Sequence, residues 1–158
     1  MRVQKVPPES ETAAIFPQAS FADAYRVIVD EPALDAVTAT YRMFGRPLAW
    51  TSFLLKWRDR IVVPLGLRAA SRPFRGGDRI GTYSVFTRTP ERVVLGLDDK
   101  HLDYRIVVET SEIDTKASRI TVTTLIRPHN MFGRIYLVSV LPFHRMIVPA
   151  MLSQAGRN

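Results

Sequence analysis

Three histidines, His101, His129 and His144, are the side chains best suited to carry a proton near neutral pH in this chain. His101, Asp103 and Arg105 stand at alternate positions, so in an extended strand they share a face. Such a trio could serve as an acid–base pair with an anion-holding arginine. The other face of the same stretch carries Leu102, Tyr104, Ile106 and Val108, an apolar row that marks the buried side. The charged trio therefore reads as a water-facing row, or as part of a cross-strand ladder with Arg127. His144 lies inside a long apolar run. There a satisfied core imidazole competes with a second reading, a titratable group lining a cavity.

Several chemistries find no support. The chain has no cysteine, which removes thiol nucleophiles, disulfides and cysteine metal sites. The histidine spacing matches no metal motif, and no metal or cofactor is expected. There is no G-x-S-x-G, no phosphate-binding P-loop and no H-E-x-x-H. The formal net charge is +7. Its arginines are scattered rather than interleaved with aromatics, and the densest group, Arg68 to Arg79, carries Pro73, Gly76 and Gly77 and reads as a solvated loop. Nucleic acid is not an expected partner.

The elements that must position these residues follow from period and punctuation. Length, 46% apolar and 23% charged content fit one domain with one core. Residues 1–18 contain Pro7, Pro8, Glu9 and Glu11, which interrupt any signal-like apolar run, so they read as a loose lead-in to a domain over 19–156 in the cytoplasm. Phe21 to Val29 alternates as a first strand. Asp30-Glu31-Pro32 reads as a helix start, with Leu34, Val37, Tyr41 and Phe44 on one face and Gly45 and Pro47 at its end. A second helix is expected from Ala49 to Val63, with Trp50, Leu54, Trp57 and Ile61 as its apolar stripe, stopped by Pro64 and Gly66. A loop from Ser71 to Asp78 follows. The period then changes to two, predicting strands over Ile80–Thr87, Arg92–Leu97, His101–Thr110 and Arg119–Arg127, with Ser111 to Ser118 as a turn. Short turns between them predict an antiparallel meander.

Asn130 is placed to cap a closing helix from about Asn130 to Ala155. Tyr136, Val140, Phe143, Ile147 and Met151 trace one stripe, and Leu137, Leu141, Val148 and Leu152 a neighbouring one. A helix so apolar is expected to be largely covered. Its span, about 39 Å at the standard rise, crosses a whole sheet. Arg134, His144, Arg145, Pro142 and Pro149 argue against a transmembrane span, and the two prolines predict a bend.

Strand, two helices, antiparallel strands and a long last helix together resemble the helix-grip fold of the START and Bet v 1-like superfamily. WTSFLLKWRDRIVVPLGL (Trp50 to Leu67), LGLDDKHLDYR (Leu95 to Arg105) and RPHNMFGRIYLVSVLPFHRMIV (Arg127 to Val148) resemble an uncharacterised bacterial family, a domain of unknown function in or near that superfamily. The resemblance implies an α+β fold in which a curved antiparallel sheet grips the C-terminal helix. It also implies a cavity for a small hydrophobic molecule, whether lipid, polyketide-like or aromatic. Trp50, Trp57, Tyr104, Thr124, Tyr136, Val140, Phe143, His144 and Ile147 are the expected cavity residues, with Tyr104, Thr124 and His144 as polar handles. Two alternatives stay open. One is a cyclase, aromatase or dehydratase using His144 and Tyr104. The other is a non-catalytic interaction module, such as a homodimer.

Overall fold

A computed structural model describes residues 1–46, 49–65 and 77–157. The expected loop from Ser71 and most of the arginine-rich piece from Arg68 lie outside them, as do Pro47 and Gly66 and the side chains of Leu54 and Ile61. In chain order the elements are β1 (Gln4–Val6), α1 (Ser10–Ala13), β2 (Phe21–Val29), α2 (Ala36–Phe44), α3 (Ala49–Val62), β3 (Arg79–Ile80), β4 (Tyr83–Arg88), β5 (Arg92–Asp98), β6 (Leu102–Asp114), β7 (Ala117–Pro128) and α4 (Met131–Ala155). A short 3-10 turn, Val63–Leu65, extends α3. The strands form one antiparallel sheet in the order β1-β2-β7-β6-β5-β4-β3. A single curved sheet with a long C-terminal helix across it is the α+β, helix-grip arrangement.

Period two fixes which side chains face α4. Tyr25, Val27 and Val29 of β2, Val108 of β6, and Ile120 and Val122 of β7 are buried in the core between sheet and helices. Ile106 pairs with Thr124, and Val108 with Val122, in register across β6 and β7. Ser111 to Ser118 is no separate turn: β6 runs on to Asp114, past an irregularity after Glu112, and the hairpin closes at Thr115-Lys116. Polar side chains hid this extension, because the pairing uses backbone groups. Conversely, the strand expected over Ile80–Thr87 is interrupted. Gly81 has φ +60°, and a Cβ there would stand 2.4 Å from the Phe44 carbonyl oxygen, so the chain turns between β3 and β4.

The first 18 residues are not loose. β1 pairs with β2, supplying partners for the backbone groups of that strand. The buried Thr12 hydroxyl donates to Glu109 Oε2 at 2.7 Å. Ile15, Phe16 and Ala19 cover Val94, Val107 and Leu125 on the sheet face away from α4. That apolar outer patch is what holds the segment down.

α2 begins at Ala36, not after Asp30. Ala33 adopts φ 53°, which breaks a helix there. Ser118 Oγ donates to the Glu31 carbonyl at 2.7 Å and accepts from Leu34 N at 3.2 Å, tying the turn to β7. Asp35 is the cap, accepting from Thr38 N at 2.8 Å and from the Thr38 hydroxyl at 2.7 Å. The buried face is Ala36, Ala39, Thr40, Met43 and Phe44, while Tyr41 turns outward toward Arg88.

α4 starts where expected. Asn130 Oδ1 accepts from Gly133 N at 3.0 Å, and Asn130 Nδ2 lies 2.9 Å from His101 Nδ1. A Cβ on Gly133 would lie 2.1 Å from the His101 carbonyl oxygen, so the helix touches the sheet there through bare backbone. At the far end Leu152 and Ala155 are buried, and Arg42 donates to the Ala155 carbonyl at 3.2 Å while making two hydrogen bonds to Glu31, at 2.6 and 3.0 Å. The helix is continuous through Pro142 and Pro149.

By length and composition α4 could cross a membrane, and in this fold it packs on α2, β2 and β7. It is not largely covered, however. Met131, Phe132, Ile135, Val138 and Met146 are exposed, because one helix laid on one sheet has an outer side that nothing else described reaches.

Two predictions test this account. Gly133→Ala must push α4 off the His101 carbonyl, at a cost of about 1–3 kcal/mol in urea denaturation. The Glu31 carboxyl is held below its ordinary range, first by the hydrogen bond from Arg42. Asp35 is held down too: burial would raise it, but the bonds from Thr38 and neighbouring backbone N–H groups prevail. Depressed carboxylates contribute stability above their unfolded pKa and lose it as pH falls through the folded one. Glu31→Gln should therefore cost roughly 0.5–1 kcal/mol at neutral pH. That gap should close as the pH drops below about 4, when measured by denaturation across pH.

Candidate ligand cavity

Between its contacts at Gly133 and at Leu152 and Ala155, α4 and the sheet border a cavity of ≈ 160 Å³. Its floor is Tyr104 and Ile106 of β6 with Val122, Thr124 and Ile126 of β7, the inward row set by the β6–β7 register. Its roof is Tyr136, Leu137, Val140, Phe143, His144, Ile147, Val148 and Met151 of α4. Met43 and Phe44 of α2, with Tyr83 of β4 edge-on to Phe44 at 5.0 Å, close one end. Two larger depressions, ≈ 460 and ≈ 600 Å³, open on the surface among charged side chains such as Arg26 and Glu31 in one and Arg92 and Glu109 in the other. Neither has the predominantly apolar wall of the space under α4.

Seven of the nine residues singled out from the sequence lie on this one wall: Tyr104, Thr124, Tyr136, Val140, Phe143, His144 and Ile147. Trp50 and Trp57 do not. Both are exposed on α3, at 41% and 51%. Helical spacing put them on one face correctly, but which way that face points is decided by where α3 sits, and here it looks outward.

The polar centre of the site is a pair that sequence reasoning missed. His144 Nε2 lies 3.0 Å from both carboxylate oxygens of Asp23, which is only 5% exposed. Asp23 sits on the inward row of β2, between Phe21 and Tyr25, and pairs in register with Thr124. The available signal was a carboxylate at an inward position of an alternating strand, flanked by Ala22 and Ala24. Phe21 meets the imidazole edge-on at 6.2 Å. A carboxylate at Nε2 keeps a proton on that nitrogen, so in the neutral ring the lone pair is on Nδ1. The imidazole, rather than the carboxylate, forms the cavity wall. It can accept or give a proton there, with Asp23 balancing the imidazolium charge. The Tyr25 phenol is held above its ordinary value, first by burial and then by the Asp23 charge, against the opposing pull of Arg145.

The other titratable residues disperse into structural roles. His129 Nε2 meets Asp103 Oδ2 at 2.9 Å. Arg105 pairs with Asp98 at 2.7 Å and lies over the Phe86 ring at 4.0 Å. His101 belongs to the start of α4 through Asn130. His101, Asp103 and Arg105 thus form no joint centre, and Asp103 does stand opposite Arg127. Among the described residues no group of histidines and carboxylates could hold a metal ion.

The pair makes a sharp prediction. His144→Leu strands a buried carboxylate and should cost about 3 kcal/mol or more, whereas the double replacement Asp23→Leu with His144→Leu should cost clearly less than His144→Leu alone. Urea denaturation of Asp23→Leu, His144→Leu and the double variant measures the coupling.

The family model described as "Protein of unknown function (DUF2867)" matches residues 15–151. No curated protein matches. Among solved structures, the crystal structure of the Zhui aromatase/cyclase from Streptomyces sp. R1128 is similar at a TM-score of 0.36 and 10% sequence identity, over 87% of this chain and 94% of that one. With most of its length matched by that family model, the chain belongs to the DUF2867 family of proteins of unknown function.

Proposed function

We propose that this protein binds one small, mostly apolar molecule in the cavity beneath α4, and that the molecule's single polar group meets His144. The observation that carries this reading is an apolar, aromatic-walled space with one buried, carboxylate-backed imidazole in its wall. A space of ≈ 160 Å³ selects by size. Cavities of about 150 Å³ accept a benzene-sized guest, so the fitting class is a single ring or a short branched chain carrying a hydroxyl, carbonyl or amine. A polycyclic or long-chain ligand would require α4 to lift from its two anchors.

A second reading, proton-transfer catalysis on the bound molecule, is favoured by one feature. The Asp23–His144 pair shares the site with the hydroxyl-bearing Tyr104, Tyr136 and Thr124. In that reading His144 is the acid–base group and Asp23 orients it. Dehydration or ring closure of a small carbonyl compound fits such a set.

Soaking with toluene, phenol, p-cresol and indole while recording methyl NMR shifts tests the binding reading. Shifts should concentrate at Val140, Ile147 and Val122, and p-cresol should exceed toluene. A ligand at about 100 times its Kd should stabilise the fold by about 2.7 kcal/mol, which raises Tm by roughly 5–10 °C for a chain of this size. Ile147→Trp, which fills the space, should abolish these shifts while the fold persists. Shifts scattered over the surface, or unchanged in the filled variant, would refute it.

A further inference from the structure

We propose that the outer surface of α3 and α4 docks this protein on an anionic lipid bilayer, as a peripheral attachment with α4 lying along the membrane surface. Met131, Ile135, Val138, Pro142 and Met146 follow one another at spacings of four, three, four and four, so they form one line along α4. All five are exposed, Val138 at 69% and Met146 at 60%. The opposite side of the helix faces the cavity. α4 is therefore apolar on both sides, a property that water-facing helices do not have.

α3 packs against α4 and adds an exposed aromatic row. Trp50, Phe53 and Trp57 share one face at spacings of three and four, Phe53 at 60% exposure, with the Phe53 and Trp57 rings in contact edge-on at 6.5 Å. Tryptophan beside basic residues on an amphipathic helix suits the lipid headgroup boundary.

Charge selects the occupant. Among the described side chains the two helices carry Lys56, Arg60, Arg134 and Arg145 against a single acidic residue, Asp59. Arg134 and Arg145 are exposed, each three residues along from a member of the apolar line. A second copy of this chain meeting the same surface about a two-fold axis would set these cations against one another. Anionic headgroups neutralise them instead, while the apolar line and the aromatic row enter the acyl boundary. The docking does not depend on the cavity being filled, so it stands or falls separately from ligand binding.

The experiment uses the whole chain, whose only two tryptophans, Trp50 and Trp57, both lie on the proposed surface. Intrinsic fluorescence and flotation are recorded with phosphatidylcholine vesicles, with and without about a third phosphatidylglycerol. The expected result is co-flotation with the anionic vesicles alone, a blue shift of the tryptophan emission, and loss of both as salt rises. Arg134→Gln and Arg145→Gln should each weaken partitioning about fivefold. Val138→Glu with Met146→Glu, placed on the outer line, should abolish it while circular dichroism and p-cresol binding stay unchanged. Equal binding to neutral vesicles, or no binding to either kind, overturns the proposal. So does a dimer in light scattering that the Val138→Glu and Met146→Glu pair dissociates while vesicles bind neither form.

Discussion

Everything at the centre of this molecule depends on how α4 is held across the sheet, by close contact and burial at its two ends and by the His144–Asp23 pair in its middle. At one end Gly133 brings bare backbone against the His101 carbonyl, and Asn130 caps the helix while reaching the His101 ring. At the other end Leu152 and Ala155 are buried and Arg42 donates to the Ala155 carbonyl. A helix anchored near both ends across a curved sheet leaves a hollow beneath it. Tyr136, Phe143 and Ile147 then hang over the floor without filling it, and the cavity is a geometric consequence rather than a packing defect.

The buried ion pair ties the middle of α4 to the first long strand. Asp23 on β2 is too deep to be left alone in an apolar setting. His144 reaches it from the middle of α4. A pair of this kind contributes little net stability relative to a well-packed apolar substitute, because desolvation offsets most of its attraction. The other two histidines contrast with it: His129 braces Asp103 and His101 braces the helix cap, both at the rim.

The outer surface completes the picture of α4 as a two-sided element. Its inner stripe lines a cavity of ≈ 160 Å³, and its outer line, with the aromatic row of α3, is exposed.

Much of the fold was legible because hydrophobic period is local information. Alternation in β2, β6 and β7 identified their inward rows, and the three-to-four spacing of α4 identified the side that became the roof. Gly45 marked the end of α2, Pro90 the turn between β4 and β5, and Asn130 its own cap. The order of elements supplied the resemblance to the helix-grip arrangement, and with it the expectation that these rows enclose a space. Sequence alone did not determine that residues 1–18 would be held down, since their docking depends on an apolar patch built from Val94, Val107 and Leu125 on two central strands and β7. Nor did it show that Trp50 and Trp57 look outward, since spacing defines a face but not its direction. The Asp23–His144 pair was likewise decided only in three dimensions. Its members are 121 residues apart, and nothing but the folding of the last helix across the first long strand brings a carboxylate and an imidazole to 3.0 Å.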